Sequence, residues 1–351
     1  MKDFFNKMFD KKHRSKTTSY LLIIGIYLIV EILMKTGNLS SLFKSLLVPA
    51  CCYIVVALSL NLIVGFSGEL SLGQASFMSI GGFTAVCVSG CLAESVPNEI
   101  IRLIICIVVS AVVSGIFGLL ISIPVLKLEG DYLAIVTLAF CQIIKSLLNN
   151  IYLGFDQNGF QFSFIENKLN LDMTGKTLLC GPAGASGTDR ISNFTVAIIL
   201  VLITLFVIYN LISSKNGRAI TAARDNRIAA LSSGINVSRV KTLVFVIAAL
   251  LSGAAGAIYG LNYTTLAPKS FDFNMSITIL VYVVLGGLGN INGTIISTII
   301  LLVLPEMLRF LNDYRMLIYA ILLIVIMLVR NNDKISKKIE SIFKKKVVKD
   351  E

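Results

Sequence analysis

This sequence is poor in the residue types on which most soluble enzymes depend. Its 351 residues include no tryptophan, one histidine and only 15% charged residues, whereas a soluble domain carries about 25% charged residues. The single His13 lies in a basic tail, and the seven cysteines form no C-x-x-C pair, which argues against a His/Cys metal site. Because no group of carboxylate, cysteine and histidine suited to catalysis is present either, we predict that the chain is not an enzyme and binds no metal or cofactor.

The sequence also lacks a complete nucleotide-binding loop. Gly175-Lys176-Thr177 is similar to the end of a phosphate-binding loop, but Asn170 stands where the motif requires glycine, and no predicted strand precedes it. The glycine-rich stretch 286–293 does not fit the dinucleotide fingerprint G-x-G-x-x-G. If the protein uses ATP, another chain must hydrolyse it.

What the sequence does contain is a series of long apolar runs. Hydrophobic residues make up 56% of the chain and its mean hydropathy is +0.83, a composition typical of polytopic membrane proteins. The runs cover residues 19–34, 46–64, 75–92, 103–125, 132–148, 194–211, 243–261, 275–291, 294–308 and 316–329. We therefore predict an all-α membrane protein, a bundle of about ten transmembrane helices. The run 75–92 is rich in small residues, and a broken or re-entrant segment is an alternative there.

Positive charge is concentrated at the two ends of the chain and in one central loop. The net charge is +11, and lysine and arginine cluster in 1–18, in 214–241 and in 330–351. By the positive-inside rule these three segments are cytoplasmic. The transmembrane domain then covers 19–329, and we expect its polar, glycine-rich stretch 150–192 to be an extracellular excursion. Since no basic face is interleaved with aromatic residues, we expect contact with anionic membrane lipid and none with nucleic acid.

The central loop carries the signals of a short helix. Residues 216–241 are basic and amphipathic, and their arginines and lysines keep them out of the bilayer, since each costs about 2.5–3.5 kcal/mol at mid-membrane. Asp225 is placed to cap a helix over 227–232, and Gly234 stands where a C-terminal glycine would end it. We therefore predict a short, capped helix between two membrane spans.

One face of that predicted helix is suited to docking. Ile228 and Leu231 are three residues apart and share a face, while Ala229 and Ala230 leave the surface low enough for close approach. These properties are typical of a short helix that docks in a groove of a partner protein. A solvated loop between two membrane helices is the alternative interpretation.

Ionisable residues are scarce within the apolar runs. Glu31, Lys145 and Glu306 stand near the ends of runs, and the middles hold none, which argues against a proton-coupled transporter, since proton relays need such groups within the membrane. Uncharged polar residues can hold a solute without trapping it, and the candidates for a translocation path are Asn61, Ser71, Gln74, Thr137 and Gln142. Each of them could instead form an interhelical hydrogen bond.

Two glycine-rich regions, 65–82 and 286–293, interrupt the helical pattern. Unwound backbone at membrane depth is tolerated only where it is buried in protein or lines a cavity. The glycines that would permit unwinding in the first region are Gly65, Gly68, Gly73, Gly81 and Gly82. We predict that both regions line a pore, and close helix packing is the alternative.

Several short motifs follow one another along the chain. They are Leu60-Asn61-Leu62-Ile63-Val64-Gly65, Gly68-Glu69-Leu70-Ser71-Leu72-Gly73-Gln74-Ala75-Ser76-Phe77, Gly130-Asp131-Tyr132-Leu133-Ala134-Ile135-Val136-Thr137-Leu138, Gly217-Arg218-Ala219, Gly234-Ile235-Asn236-Val237, Gly253-Ala254-Ala255-Gly256-Ala257, Val284-Leu285-Gly286-Gly287-Leu288-Gly289 and Leu304-Pro305-Glu306. Each motif alone is weak, but their order and spacing are specific. From residue 58 to residue 330, outside 149–179, the chain resembles the LivM-type permease subunits of branched-chain amino acid ABC importers.

The resemblance implies an assembly and an activity. Such a permease pairs with a second, LivH-like permease, with ATP-binding subunits and with an extracellular solute-binding protein. A small amino acid of the branched-chain class passes inward between the two permeases. The predicted short helix would then be the coupling helix, which contacts an ATP-binding subunit.

The resemblance also assigns residues to this coupling. Ala229, Ala230 and Gly234 match the importer signature E-A-A-x-x-x-G, whereas Ile228 occupies the glutamate position. That departure changes the electrostatic part of docking, for which charged neighbours in the loop could compensate. The residues implied in coupling are Arg218, Arg224, Asp225, Ile228, Ala229, Ala230 and Gly234.

Other positions do not identify the transported solute. Glu69, Gln74 and Gln142 stand where relatives often carry glutamine, histidine and glutamate, and the stretch 150–180 resembles an insertion. Because a separate binding protein usually sets specificity, an ABC permease for urea, a nucleoside or another amino acid is an alternative. A stand-alone secondary transporter and a polytopic membrane enzyme are weaker alternatives, given the missing acids and the single histidine.

Overall fold

A computed structural model describes the protein over residues 11–36, 41–93, 95–125, 131–156, 159–164, 176–186 and 190–308, and at positions 317, 318, 320, 321 and 324. The chain forms two compact units, 1–298 and 299–351. All contacts discussed below lie within the first unit.

Helices make up most of the described chain. They are α1 (Lys11–Lys35), α2 (Ser41–Asn61), α3 (Gln74–Leu92), α4 (Glu99–Val125), α5 (Asp131–Asn150), α6 (Phe194–Ser213), α7 (Lys215–Asp225), α8 (Arg227–Ser232), α9 (Val237–Gly260), α10 (Phe273–Gly286) and α11 (Ile291–Met307). A π-helical turn, Leu62–Ser67, extends α2, and short 3-10 turns occupy Gly181–Ala183 and Pro268–Ser270.

Eight helical segments in the described ranges are long and apolar enough to cross a membrane: Thr17–Lys35, Phe43–Ser67, Gln74–Leu92, Glu99–Pro124, Tyr132–Asn150, Phe194–Ser213, Val237–Gly260 and Pro268–Gly286. A shorter apolar helix, Ile291–Met307, follows them. The predicted all-α, multi-spanning fold is therefore confirmed. Of the last predicted run, 316–329, the structure describes only positions 317, 318, 320, 321 and 324.

One boundary differs from the prediction, and one stated alternative is excluded. Helix α1 begins at Lys11, inside the stretch predicted as an N-terminal tail, because lysine and arginine are good helix formers. The run 75–92 is one continuous helix, α3, so a broken or re-entrant segment is excluded there. Most of its side chains are buried, as expected for a helix rich in small residues.

Helices α3 and α9 cross at the centre of the fold, where glycines let their backbones approach. A Cβ atom on Gly81 would collide with the backbone of Gly253, and one on Gly256 would collide with that of Met78. Gly81 and Gly82 were predicted to permit unwinding, but both lie inside the helix. Their role is the close packing named as the alternative, because Gly81 faces Gly253 of α9, and Gly82 faces Gly256 of α9 and the Leu266 side chain.

The predicted excursion contains a small antiparallel sheet. Its strands are β1 (Ile151–Asp156), β2 (Gly159–Phe164) and β3 (Lys176–Cys180), in the order β2-β1-β3. Lys176 and Thr177 open a strand, whereas the phosphate-binding loop that they resemble must open a helix. A second pairing joins β4 (Ala185–Ser186) to β5 (Thr265–Leu266), with Ala185 opposite Leu266.

The two ends of the helix bundle differ. We call the end that carries α7 and α8 the loop end, and the end that carries the strands the sheet end. Helix α9 starts at Val237, directly after the loop, and finishes at Gly260, shortly before β5. Its 24 residues span about 36 Å at 1.5 Å per residue, so they separate the two ends by roughly the thickness of a membrane.

Candidate coupling site

Two short helices, α7 and α8, form the central loop, and each has a side-chain cap at its start. The hydroxyl of Ser214 accepts a hydrogen bond from the Gly217 N–H at 3.2 Å and caps α7. The side-chain oxygen of Asn226 accepts from the Ala229 N–H at 3.0 Å and caps α8. The prediction that Asp225 caps this helix is wrong, because Asp225 belongs to the last turn of α7 and only Asn226 has the extended backbone of a cap (φ −154°, ψ 103°).

Gly234 ends α8, as the sequence predicts. Its φ of +78° is a left-handed conformation that glycine adopts without a Cβ penalty. The Gly234 N–H donates to the Leu231 carbonyl and the Ile235 N–H donates to the Ala230 carbonyl, both at 3.0 Å. With a side-chain cap at its start and two backbone hydrogen bonds closing its end, α8 is a defined structural unit despite its length of 6 residues.

The two faces of α8 have opposite environments. Ala230 is buried with Ala223 and Val237, and thereby attaches α8 to α7 and α9. On the other face Ile228 is 78% exposed and Leu231 is 52% exposed, with Ala229 exposed beside them. We call Ile228, Ala229 and Leu231 the docking face. The predicted pair of docking alanines is thus divided, since Ala229 belongs to this face and Ala230 packs inward.

Charged side chains of the loop lie beside the docking face or turn back into the fold. Arg218 is exposed on α7. Arg224 contacts Asp225 through its Nε and Nη2 atoms at 2.9 Å, and its Nη1 donates to the Gly65 carbonyl at 3.0 Å. Gly65 belongs to the π-helical turn after α2, so Arg224 joins the central loop to the first glycine-rich region.

A buried ion pair makes a second connection between the loop region and the same glycine-rich region. The ammonium group of Lys241, in the second turn of α9, pairs with the carboxylate of Glu69. Their side chains are only 13% and 14% exposed. Glu69 follows Gly68, whose φ of +75° ends the π-helical turn. Residues 68–73 have no regular structure before α3 begins at Gln74, so the predicted break is confirmed between Gly65 and Gly73.

The second glycine-rich region is also a break, and it contacts the first. Helix α10 ends at Gly286, and Gly287 and Gly289 have φ values of +101° and +77°. The Gly289 N–H donates to the side-chain oxygen of Asn61 at 2.8 Å, and the Asn61 amide donates to the Thr294 hydroxyl at 3.0 Å. A Cβ atom on Gly65 would collide with the Gly289 backbone, so the two breaks pack backbone against backbone.

Four of the predicted translocation residues are buried in helix contacts of this chain, namely Asn61, Ser71, Gln74 and Thr137. The hydroxyl of Thr137 accepts from the Leu72 N–H and donates to the Ala134 carbonyl, both at 3.0 Å, and so holds the first break against α5. Asn61 and Gln74 form hydrogen bonds between helices, the alternative stated for them, whereas the Ser71 hydroxyl accepts a local bond from the Gly73 N–H at 3.5 Å. Gln142 differs from them, since it is exposed on α5.

Gln74 belongs to a buried polar network of three residues. Its side-chain oxygen accepts from the Ser252 hydroxyl at 2.6 Å, and the Ser59 and Ser252 hydroxyls are 2.7 Å apart. The Gln74 amide nitrogen has no hydrogen-bond partner among the described residues. The network joins α2, α3 and α9 across the centre of the fold.

Sequence reasoning missed two of the residues that build this site, Asn226 and Lys241. A signal existed for Lys241, because a carboxylate at the edge of a membrane span, here Glu69, needs a partner. No sequence signal connects Gly289 with Asn61, since 228 residues separate them.

Comparison with known proteins identifies relatives. Residues 42–327 match the family model described as "Branched-chain amino acid transport system / permease component". The high-affinity branched-chain amino acid transport system permease protein LivM of Salmonella typhimurium is 34% identical over 294 residues, which cover 79% of this chain and 66% of that protein. The ribose import permease protein RbsC of Escherichia coli K12 is 24% identical over 340 residues, covering 93% of this chain and 96% of that protein.

A third relative matches a shorter part of the chain. The permease protein LivH of Salmonella typhimurium is 32% identical over 132 residues, which cover 37% of this chain and 41% of that protein. No solved structure matches the chain. Because the family match extends over most of the chain, this polytopic membrane protein belongs to the permease components of branched-chain amino acid transport systems.

Proposed function

We propose that this chain is a permease subunit of an ATP-driven ABC importer and moves a branched-chain or related amino acid into the cell. It works with ATP-binding subunits, with a second permease of the LivH type and with an extracellular solute-binding protein. The loop end is cytoplasmic and the sheet end is extracellular, in accordance with the distribution of lysine and arginine in the sequence.

The observation that carries this proposal is the docking face of α8. Ile228 and Leu231 are large apolar side chains, 78% and 52% exposed, on a capped helix outside the candidate membrane spans. Burying one such side chain in a protein groove contributes about 1.5–3 kcal/mol. The docking face therefore fits a groove on a second protein, and Arg218 on the neighbouring α7 adds an exposed positive charge.

This chain also supports the assignment of ATP hydrolysis to a partner subunit. ATP hydrolysis is assigned to the partner that covers the docking face, since the residues similar to a phosphate-binding loop open the strand β3 and no complete motif occurs in the sequence. Ala230 attaches α8 to α7 and α9, so a displacement of the docked helix reaches the bundle.

The branched-chain amino acid is proposed from the family and from the LivM relatives. This chain spans 66% of the length of the LivM protein quoted above, and the RbsC relative covers 93% of the chain. A sugar or another small solute is therefore the second candidate. Gln142 is the one predicted translocation residue that the described chain leaves exposed, so it fits a path shared with a second permease.

The test is purification of the tagged protein from its own cell in a mild detergent, followed by mass spectrometry. We expect ATP-binding subunits and a second permease to co-purify. The purified assembly, in proteoliposomes with its binding protein, then takes up radiolabelled leucine or ribose. Recovery of the chain alone or as a homo-oligomer contradicts the importer assignment. Uptake of ribose without uptake of leucine contradicts the proposal that the solute is an amino acid.

A further inference from the structure

We infer that Glu69 and Lys241 are positioning residues that transmit the movement of the docked loop to the two helix breaks. This inference rests on the proposed function, because it requires an ATP-binding subunit on the docking face. It adds a defined route inside this chain, from α8 through two side-chain connections to residues 65–69 and from there to Gly289.

The two connections start from residues on either side of α8 in the sequence. Arg224 precedes α8 and Lys241 follows it, and both side chains reach the first break, at Gly65 and Glu69 respectively. A rigid displacement of α8 therefore acts on the break from both sides of the loop. Neither connection joins the loop to the middle of a membrane helix, where regular hydrogen bonds would resist the displacement.

The Glu69–Lys241 pair is better suited to positioning than to stability. Both side chains are largely buried, at 14% and 13% exposure, so their desolvation offsets much of their mutual attraction. Apolar residues of similar volume commonly stabilise such a site as well or better. An ion pair has an additional property, since it fixes the position of the irregular segment 68–73 relative to α9 without requiring a regular backbone there.

The first break contacts the second through Asn61 and Gly65, so a movement of one is transmitted to the other. The Asn61 amide group is bonded to both the Gly289 N–H and the Thr294 hydroxyl. On the adjoining turn, the Gly65 backbone leaves no room for a Cβ atom against Gly289. Because the Gly65 and Gly289 backbones are in close contact, with the Asn61 side chain bonded beside them, a shift of residues 65–69 moves Gly289 as well.

The test uses the assembled importer in proteoliposomes and measures the solute transported per ATP hydrolysed. Lys241→Met and Glu69→Gln each remove one charge of the buried pair. Lys241→Arg retains the charge, and the exchange Glu69→Lys with Lys241→Glu restores an opposite pair. Lys35→Met is the matched control, because Lys35 pairs with Glu31 at 3.4 Å in an exposed position on α1.

We expect Lys241→Met and Glu69→Gln to lower the transport ratio by about tenfold or more, while ATP-binding subunits still co-purify and basal ATP hydrolysis continues. Lys241→Arg, Lys35→Met and the exchanged pair should stay within about threefold of the parent protein. An unchanged ratio in Lys241→Met overturns the inference, and so does loss of the ATP-binding subunits from that variant, since the pair would then serve assembly. If the parent protein itself is purified without ATP-binding subunits, the proposed function fails, and the inference fails with it.

Discussion

The side chain of Asn61 accepts a hydrogen bond from the backbone N–H of Gly289 at 2.8 Å, across 228 residues of sequence. The same side chain donates to Thr294, so one amide group at the end of α2 satisfies polar groups on both sides of the second break. Unwound backbone in a membrane protein leaves N–H groups that must find a partner inside the protein. Asn61 supplies that partner, which explains why a polar amide stands at the end of a mainly apolar helix.

Replacement of Asn61 tests this relationship. Asn61→Leu leaves the Gly289 N–H without its present partner, whereas the Thr294 hydroxyl still donates to the Asn290 carbonyl at 2.9 Å. An unsatisfied buried donor costs about 1–3 kcal/mol. We expect a clear decrease in the thermal unfolding midpoint in detergent. Asn150→Leu is the control, because the Asn150 side chain is exposed and donates only within its own helix, to Ser146. Equal midpoints for the two variants would contradict this role.

The crossing of α3 and α9 predicts a second, purely steric effect. Gly81→Val places side-chain atoms where the Gly253 backbone lies, and overpacking of this kind costs about 1–3 kcal/mol or more. We expect a reduced yield of folded protein and a lower unfolding midpoint. Gly25→Val on α1 is a matched control, because no heavy atom lies within 4 Å of a Cβ atom at that position. If Gly81→Val were as stable as Gly25→Val, the two helices would not be in this close contact.

The two alanines of the coupling signature should respond differently to the same change. Ala229→Glu adds bulk and charge to the exposed docking face, so we expect normal insertion and stability with uptake reduced by about tenfold or more. Ala230→Glu buries a carboxylate beside Ala223 and Val237, so it should lower stability and uptake together. Uptake assays and thermal unfolding of both variants decide this. Unchanged uptake in Ala229→Glu would remove the basis for assigning the docking face to a partner.

The cap of α8 predicts an asymmetry between two adjacent residues. Asn226→Ala removes the bond to the Ala229 N–H, and loss of such a cap costs about 0.5–2 kcal/mol. Asp225→Ala removes only an exposed contact with Arg224, which is worth at most about 1 kcal/mol. We expect faster amide hydrogen exchange across α8 in Asn226→Ala than in Asp225→Ala. The opposite order would indicate that Asp225, and not Asn226, caps α8.

Local signals in the sequence predicted much of this fold, because they depend on neighbouring residues alone. The apolar runs coincide with helices up to residue 308, and Gly234 stands at a left-handed position that few other residues tolerate. The cap was missed by one residue, because Asp225 and Asn226 are both capping types and the choice depends on where α7 ends. The alternation of Phe160, Phe162 and Phe164 with polar residues was an unused strand signal for β2.

Tertiary relationships could not be predicted in this way. Gly65 and Gly81 occur in the same glycine-rich region, yet Gly65 lies in a break and Gly81 in a continuous helix. The difference comes from what each faces: Gly65 packs on the irregular backbone at Gly289, whereas Gly81 packs on the regular helix at Gly253. Both partners are remote in sequence, so composition and periodicity carry no information about them.

Helix α9 is connected to other elements of the fold near both of its ends. At the loop end Lys241 is bound to Glu69. Beyond the sheet end, Leu266 pairs with Ala185, next to the sheet that contains β1–β3. Between these points α9 is buried along most of its length, so it can tilt or slide only together with its neighbours. A displacement of the strands and a displacement of α8 would therefore both reach the same helix, from the two ends of the bundle.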